Sequence, residues 1–457
     1  MRLNKRRATA ILACSALAFT TAACGGAGGG SSSGGSGGAN NTVRVLMVNN
    51  PQMVDLQNLT AENFTKETGI NVEFTVLPEN DLRDKVSQEF TNQSGQYDVA
   101  TLSNFEIPFY SKNGWLTSLQ PYADKDTEFN QADIFPSMTT SLTGPDGQLY
   151  GEPFYGESSF LMYRKDVLEA AGITMPNNPT WDEVAAAAAA VDGAQEGMKG
   201  ICLRGQTGWG QVIAPLTTVV NTFGGTWFEK DWTAKVNAPE FKAATQFYVD
   251  LVKAHGEVGA PQAGLTECLN ALSQGKVAMW YDATSAAGTL EGADSPVKGK
   301  IGYAQAPVKE TKSAGWLYAW SWAIEKKSAN ADNAWKFISW ASSSKYEQLV
   351  GEKLGWSKVP AGKRASLYDN PSYKTEAGSF AAATLEAIQN ADPANPGLQP
   401  RPTVGIQFVD IPEFTDLGTK VSQLVSSAIA GQTTVDEALD QGQTLAEAVS
   451  KKYQAGG

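Results

Sequence analysis

The first apolar run of the folded body, Thr42-Val-Arg-Val-Leu-Met-Val48, predicts a strand. Pro51 then opens a helical pattern in which Met53, Leu56 and Phe64 share a side, and Gly69 stops it. Asn71-Val-Glu-Phe-Thr-Val76 alternates as a half-buried strand does, residues 82–90 return to helical spacing, and Tyr97-Asp-Val-Ala-Thr-Leu102 reads as strand again. Such strand–helix–strand alternation implies a parallel sheet with helices on both faces. Ligands of these sheets sit where loops leave the strand C-termini, and Asn49, Asn50, Ser103 and Asn104 stand just past two such ends.

The middle of the chain is richer in helix. Thr180-Trp-Asp-Glu183 has capping-box spacing and starts an alanine-rich helix. Pro239 starts another, with Phe241, Phe247, Leu251 and Val252 along one side. Strand signals return at residues 276–281, 301–306 and 317–324, and Thr434-Val-Asp-Glu437 caps a final amphipathic helix.

The N-terminus follows another pattern. Four basic residues (Arg2, Lys5, Arg6, Arg7) precede an apolar stretch over residues 8–23 that ends in small residues. It is too short for a comfortable membrane span and reads as a secretion signal over residues 1–23. Cys24 follows Ala22-Ala23 directly, which resembles a bacterial lipobox. Cys24 is therefore expected to carry lipid and to tie the mature chain to the outer face of the cell membrane. Residues 25–41 are glycine, serine, alanine and asparagine, a composition that buries no core. As a flexible tether this segment reaches roughly 23 Å root-mean-square.

From Thr42 onward the chain is long enough for two domains. Without its first 23 residues, 32 basic residues face 48 acidic ones, a net charge of −16. So acidic a body does not grip nucleic acid through its phosphates or adhere to anionic lipid. The ligand is expected to be neutral, or recognised by a few local groups. His255, the only histidine, precedes Gly256 at a predicted helix end, where a helix dipole favours it. Its solitude argues against histidine triads and multi-histidine metal sites. Cys202 and Cys268 are the body's two cysteines; export permits a disulfide, and the sequence does not decide whether they meet.

Catalytic motifs are scarce. There is no P-loop, no GxGxxG after a strand and no HExxH, and Gly156-Glu-Ser-Ser-Phe160 lacks the second glycine of a nucleophile elbow. An acid pair such as Glu157 and Asp282 leaves open a secreted carbohydrate-active enzyme. An adhesin for a polysaccharide is a further alternative. Trp280, Trp316, Trp320 and Trp322 lie in or beside strand runs, and their flat rings suit the C–H faces of a sugar or polyol. Trp316, Tyr318, Trp320 and Trp322 would share one face of a regular strand, so most belong in the core and one or two reach a cleft.

The order Gly151-Glu-Pro-Phe-Tyr-Gly-Glu157, Tyr163-Arg-Lys-Asp166, Leu168-Glu-Ala-Ala-Gly172 and Pro179-Thr-Trp-Asp-Glu183 resembles family 1 extracellular solute-binding proteins of ABC importers. Gln274-Gly-Lys-Val-Ala-Met-Trp280, Ile301-Gly-Tyr-Ala and Thr434-Val-Asp-Glu-Ala-Leu439 fit the same family. Phe154-Tyr-Gly-Glu-Ser-Ser-Phe160, Ile201-Cys-Leu-Arg-Gly205, Trp280-Tyr-Asp-Ala-Thr284 and Gly405-Ile-Gln-Phe-Val-Asp-Ile-Pro-Glu-Phe414 are similar to its sugar-alcohol (mannitol/sorbitol) branch. The resemblance implies a periplasmic-binding-protein-like α/β fold. Two discontinuous lobes, residues 42–152 plus 306–356 and residues 153–305 plus 357–457, would be joined by crossovers near 152–155, 304–308 and 356–360. A hinge would close them on a polyol or sugar, and the closed form would engage an ABC permease. The protein is then a monomer with no catalytic role, cofactor or metal.

Each site residue has a functional and a structural reading. Glu157 stands where the family places a ligand-contacting acid, or is a charge at a helix start. Arg204 offers a fork of donors to adjacent hydroxyls, or an ion pair across the lobes. Asp282 accepts from a hydroxyl, or caps a helix. Tyr155, Trp209 and Trp320 stack on ligand or pack inside. Asn49, Asp81, Asn104 and Gln407 bind ligand or serve turns and caps.

Overall fold

The computed structural model describes residues 41–455. The expected signal segment, Cys24 and the tether up to residue 40 lie outside the described residues.

The first strand, β1 (Thr42–Val48), and β2 (Asn71–Leu77) run parallel, joined by a helix that starts at Pro51 and ends at Gly69, whose φ of 71° lets the chain turn. A helix over Glu79–Asn92 leads on to β3 (Val99–Ser103), parallel to β1. The chain then forms β4 (Glu152–Glu157), β5 (Ser159–Arg164), β6 (Lys199–Cys202), β7 (Val277–Ala283), β8 (Ile301–Gln305) and β9 (Tyr318–Ile324). Two sheets result, one ordered β2-β1-β3-β9-β4 and the other β6-β7-β5-β8. They are the cores of two lobes.

The sheets are mixed, not wholly parallel as the alternation implied. β9 is antiparallel to both β3 and β4, and β5 is antiparallel to both β7 and β8. The reason is connectivity: β9 arrives from the other lobe, so it enters the first sheet from the opposite end. The first crossover also differs from expectation. β4 remains in the first sheet through Glu157, and the chain passes to the second sheet at Ser158, between β4 and β5. The last crossover is later too. Arg364 bridges Ile134, and Phe135 donates to the Lys363 carbonyl at 2.8 Å, so these residues still pack on the first lobe. At this crossing Gly156 donates to Ala361 at 3.0 Å, and any side chain on Gly362 would overlap the Gly156 carbonyl. Gly362 also holds φ at 81°, so two independent constraints require glycine there.

Both capping boxes form as the sequence predicts, at Thr180–Glu183 and Thr434–Glu437. His255 ends its helix and meets Asp192 at 3.1 Å. Cys202 and Cys268 form a disulfide between β6 and the helix Leu265–Ser273.

Candidate functional site

The two lobes meet across a cleft. Asn80 donates to the Thr207 carbonyl at 2.9 Å, Gln52 to the Ser285 carbonyl at 3.0 Å, and Gln211 to Glu79 at 3.3 Å. Between these contacts lies a cavity lined in part by Glu157, Arg204, Arg83, Trp316, Trp320 and Gln407.

Strand register builds the second-lobe wall. β6 and β7 run parallel with Cys202 opposite Trp280, so two residues on, past the strand end, Arg204 comes beside Asp282. The pair is bidentate: Arg204 Nε and Nη2 donate to Asp282 at 2.7 and 2.5 Å, and Nη1 donates to the Gly210 carbonyl at 3.0 Å. Asp282 also accepts from Trp280 Nε1 at 3.0 Å and from the Ala283 amide at 2.7 Å. It is fully buried and does not line the cavity. Asp282 therefore aims Arg204, whose two uncommitted N–H groups remain for a ligand. Burial works against the Arg204 charge, but Asp282 outweighs it and holds the guanidinium above its ordinary range.

The first-lobe wall centres on Arg83, in the helix Glu79–Asn92 that starts just past the C-terminal end of β2. Arg83 pairs with Glu79 at 2.8 Å and Glu106 at 3.2 Å and donates to the Tyr318 hydroxyl at 2.7 Å. Its guanidinium lies 3.9 Å from the Trp209 ring centroid and 5.0 Å from that of Trp320. Burial opposes this charge too, and Tyr318, Glu79 and Glu106 restore it. Glu157 ends β4 opposite Tyr318 and accepts from Ser285 Oγ at 2.5 Å. Burial, helped by Asp282 and Glu79, outweighs Ser285 and Arg204 and pushes its carboxyl up to about 8.

Among the sequence-predicted residues, Glu157, Arg204, Trp320 and Gln407 line this cavity together. Trp209 stacks on Arg83 behind it. The Tyr155 hydroxyl accepts from Asn50 at 2.7 Å, and Tyr155 lines a small neighbouring gap. Asn104 ties down the start of β9, accepting from Ala319 at 2.9 Å and donating to Leu317 at 3.3 Å. Asn49 is exposed and borders a separate groove, and Asp81 is exposed at the start of its helix. In place of these two, Asn50 and Glu79 line the cavity. Trp322 is in the core, its ring tilted against Phe154 at 5.2 Å between centroids, and Trp316 precedes β9 and reaches the cavity. Glu79 and Arg83 went unread, although an acid four residues before an arginine on a predicted helix beside a strand end was a usable signal.

Two lobes meeting around guanidinium, carboxyl and indole groups define a solute-binding cleft. The chain belongs to the bacterial extracellular solute-binding protein family, whose profile matches residues 50–348. It is 38% identical to a mannitol-binding protein of Pseudomonas aeruginosa over 400 residues, 87% of this chain and 90% of that one. It is also similar to an ABC transporter solute-binding protein of Agrobacterium vitis whose crystal structure holds D-mannitol. There the TM-score is 0.87 at 44% identity, over 90% of this chain and 98% of that one. A ribitol complex from Agrobacterium radiobacter, 24% identical with a TM-score of 0.79, shares the fold over 89% of this chain and 98% of that one.

Proposed function

We propose that this protein captures a linear sugar alcohol of the mannitol kind in the cavity between its lobes and delivers it to the permease of an ABC importer. The observation that carries the reading is the likeness, at 44% identity, to a solute-binding protein holding D-mannitol. The cavity chemistry supports it. A hexitol is neutral, offers a hydroxyl on every carbon, and can accept from Arg204 while donating to Glu157 and Glu79. The rings of Trp316 and Trp320 suit its C–H faces. A micromolar dissociation constant is about −8 kcal/mol, or roughly −0.7 kcal/mol for each of about twelve non-hydrogen atoms, which an enclosing cleft supplies. The secreted-enzyme reading loses its acid pair, since Asp282 is committed to Arg204. The family is one of binding proteins.

A lipid on Cys24 would hold the body at the outer face of the membrane, and the tether would give it reach to the permease. Mass spectrometry of the membrane-extracted protein tests this through a diacylated N-terminal Cys24, which the C24A variant lacks. The ligand is tested by calorimetry and thermal shift with mannitol, sorbitol, arabitol, maltose and an aryl glycoside. Saturable heat and a raised melting temperature are expected with the hexitols, and the ligand is recovered unchanged. Indifference to every alditol would refute the assignment.

A further inference from the structure

A second compartment adjoins the ligand cavity and shares Tyr318, Gln407 and Phe408 with it. It is the roomier of the two. Its walls come from both lobes: Phe105 and Pro108 beyond β3, and the helix Pro136–Ser141, face Ile406 and Phe408 of the irregular segment 391–413. A free hexitol seated against Arg204 and Glu157 leaves this space unused. Its position beside the cavity, with three side chains common to both linings, suits a substituent on the bound polyol better than a separate ligand.

Resting on the polyol reading above, we infer that this compartment receives a neutral sugar ring attached to the hexitol, so that the protein takes glycosyl-hexitols as well as free ones. The lining decides the class of substituent. It contains no lysine or arginine and carries two carboxylates, Asp392 and Asp410, so a phosphate or carboxylate group is repelled. The flat walls of Phe105, Pro108 and Phe408 suit the C–H faces of a pyranose. Asp410 supplies an acceptor for ring hydroxyls. Burial alone shifts its carboxyl, up to about 6, with no hydrogen-bonding partner contributing. A mostly apolar pocket with a few convergent polar groups is the usual character of a small-molecule site.

Calorimetry on the full mature protein with mannitol and with a glucopyranosyl-mannitol tests the inference, alongside two variants of exposed wall residues, Thr140→Trp and Ser137→Trp. Neither residue lines the inner cavity. The unmodified protein is expected to bind both ligands with dissociation constants within tenfold of each other. Each folded variant, verified by its melting temperature, keeps mannitol affinity within twofold and loses at least tenfold for the glucosyl ligand. Saturable mannitol binding with no response to glucopyranosyl-mannitol overturns this inference and leaves the polyol reading standing. So does equal affinity of a variant and the unmodified protein for the glucosyl ligand. Indifference to mannitol itself is instead a failure of the polyol reading.

Discussion

Arg204 and Asp282 illustrate how a residue's role depends on its partners. Asp282 has nitrogen donors on both carboxylate oxygens and no exposed surface, so its removal is felt first as a stability defect. Asp282→Ala leaves a buried guanidinium without its counter-charge and is expected to cost about 3–5 kcal/mol, read by denaturant unfolding, as well as ligand affinity. Loss of binding with unchanged stability would show Asp282 to be a ligand acceptor instead. The raised carboxyls make a separate prediction. Burial pushes both Glu157 and Glu152 up to about 8 and Glu325 up to about 7. Between their unfolded and folded values the folded state holds protons that the unfolded chain has released. Stability therefore falls as pH rises from about 4.5 to about 8, then levels off. Melting temperatures recorded from pH 5 to 8.5 should decline, and a rising profile would contradict the buried, proton-holding state of these acids.

Strands and their connections account for how these side chains converge. β6 stops at Cys202 opposite Trp280 while β7 runs on to Ala283, which places Arg204 against Asp282, and the disulfide fastens β6 to the helix that carries Leu265 into the cavity. Its ends are 66 residues apart in sequence, a closure worth about 4 kcal/mol in the chain-entropy account. The double variant Cys202→Ser, Cys268→Ser is expected to melt well below the parent, whereas equal melting temperatures would assign the bridge no stabilising role. The crossing of Gly156 and Gly362 admits no side chain. Gly362→Ala is expected to destabilise more than the usual surface substitution, since it adds both overlap and backbone strain.

Closure joins these elements into one binding device. Arg83 belongs to the first lobe and Trp209 to the second, and their 3.9 Å contact exists only when the lobes are together. A desolvated cation–π contact of this kind is worth about 2 kcal/mol, so Trp209→Ala is expected to raise the mannitol dissociation constant by roughly tenfold or more. If the proposed ligand stabilises this same arrangement, small-angle scattering should show a smaller radius of gyration with mannitol than without. Identical scattering in both states would mean that the lobes do not move.

Much of this was legible in the residues themselves. Strand and helix periods, the two capping boxes and the turn at Gly69 are local, set by neighbours within a few positions, so β1, β2 and the helices beginning at Thr180 and Thr434 could be read directly. The motifs around Glu157, Arg204 and Trp320 picked out residues that the fold brings to one cavity. Only the Glu79 spacing marks Arg83 locally, because its other partners Glu106, Trp209 and Tyr318 come from three separate stretches of chain. The burial of Asp282, the antiparallel entry of β9 and the pairing of Cys202 with Cys268 were not legible. Local propensity acts over a few residues, whereas strand order, burial and charge pairing depend on which distant segments share a sheet, and that is decided only when the lobes assemble.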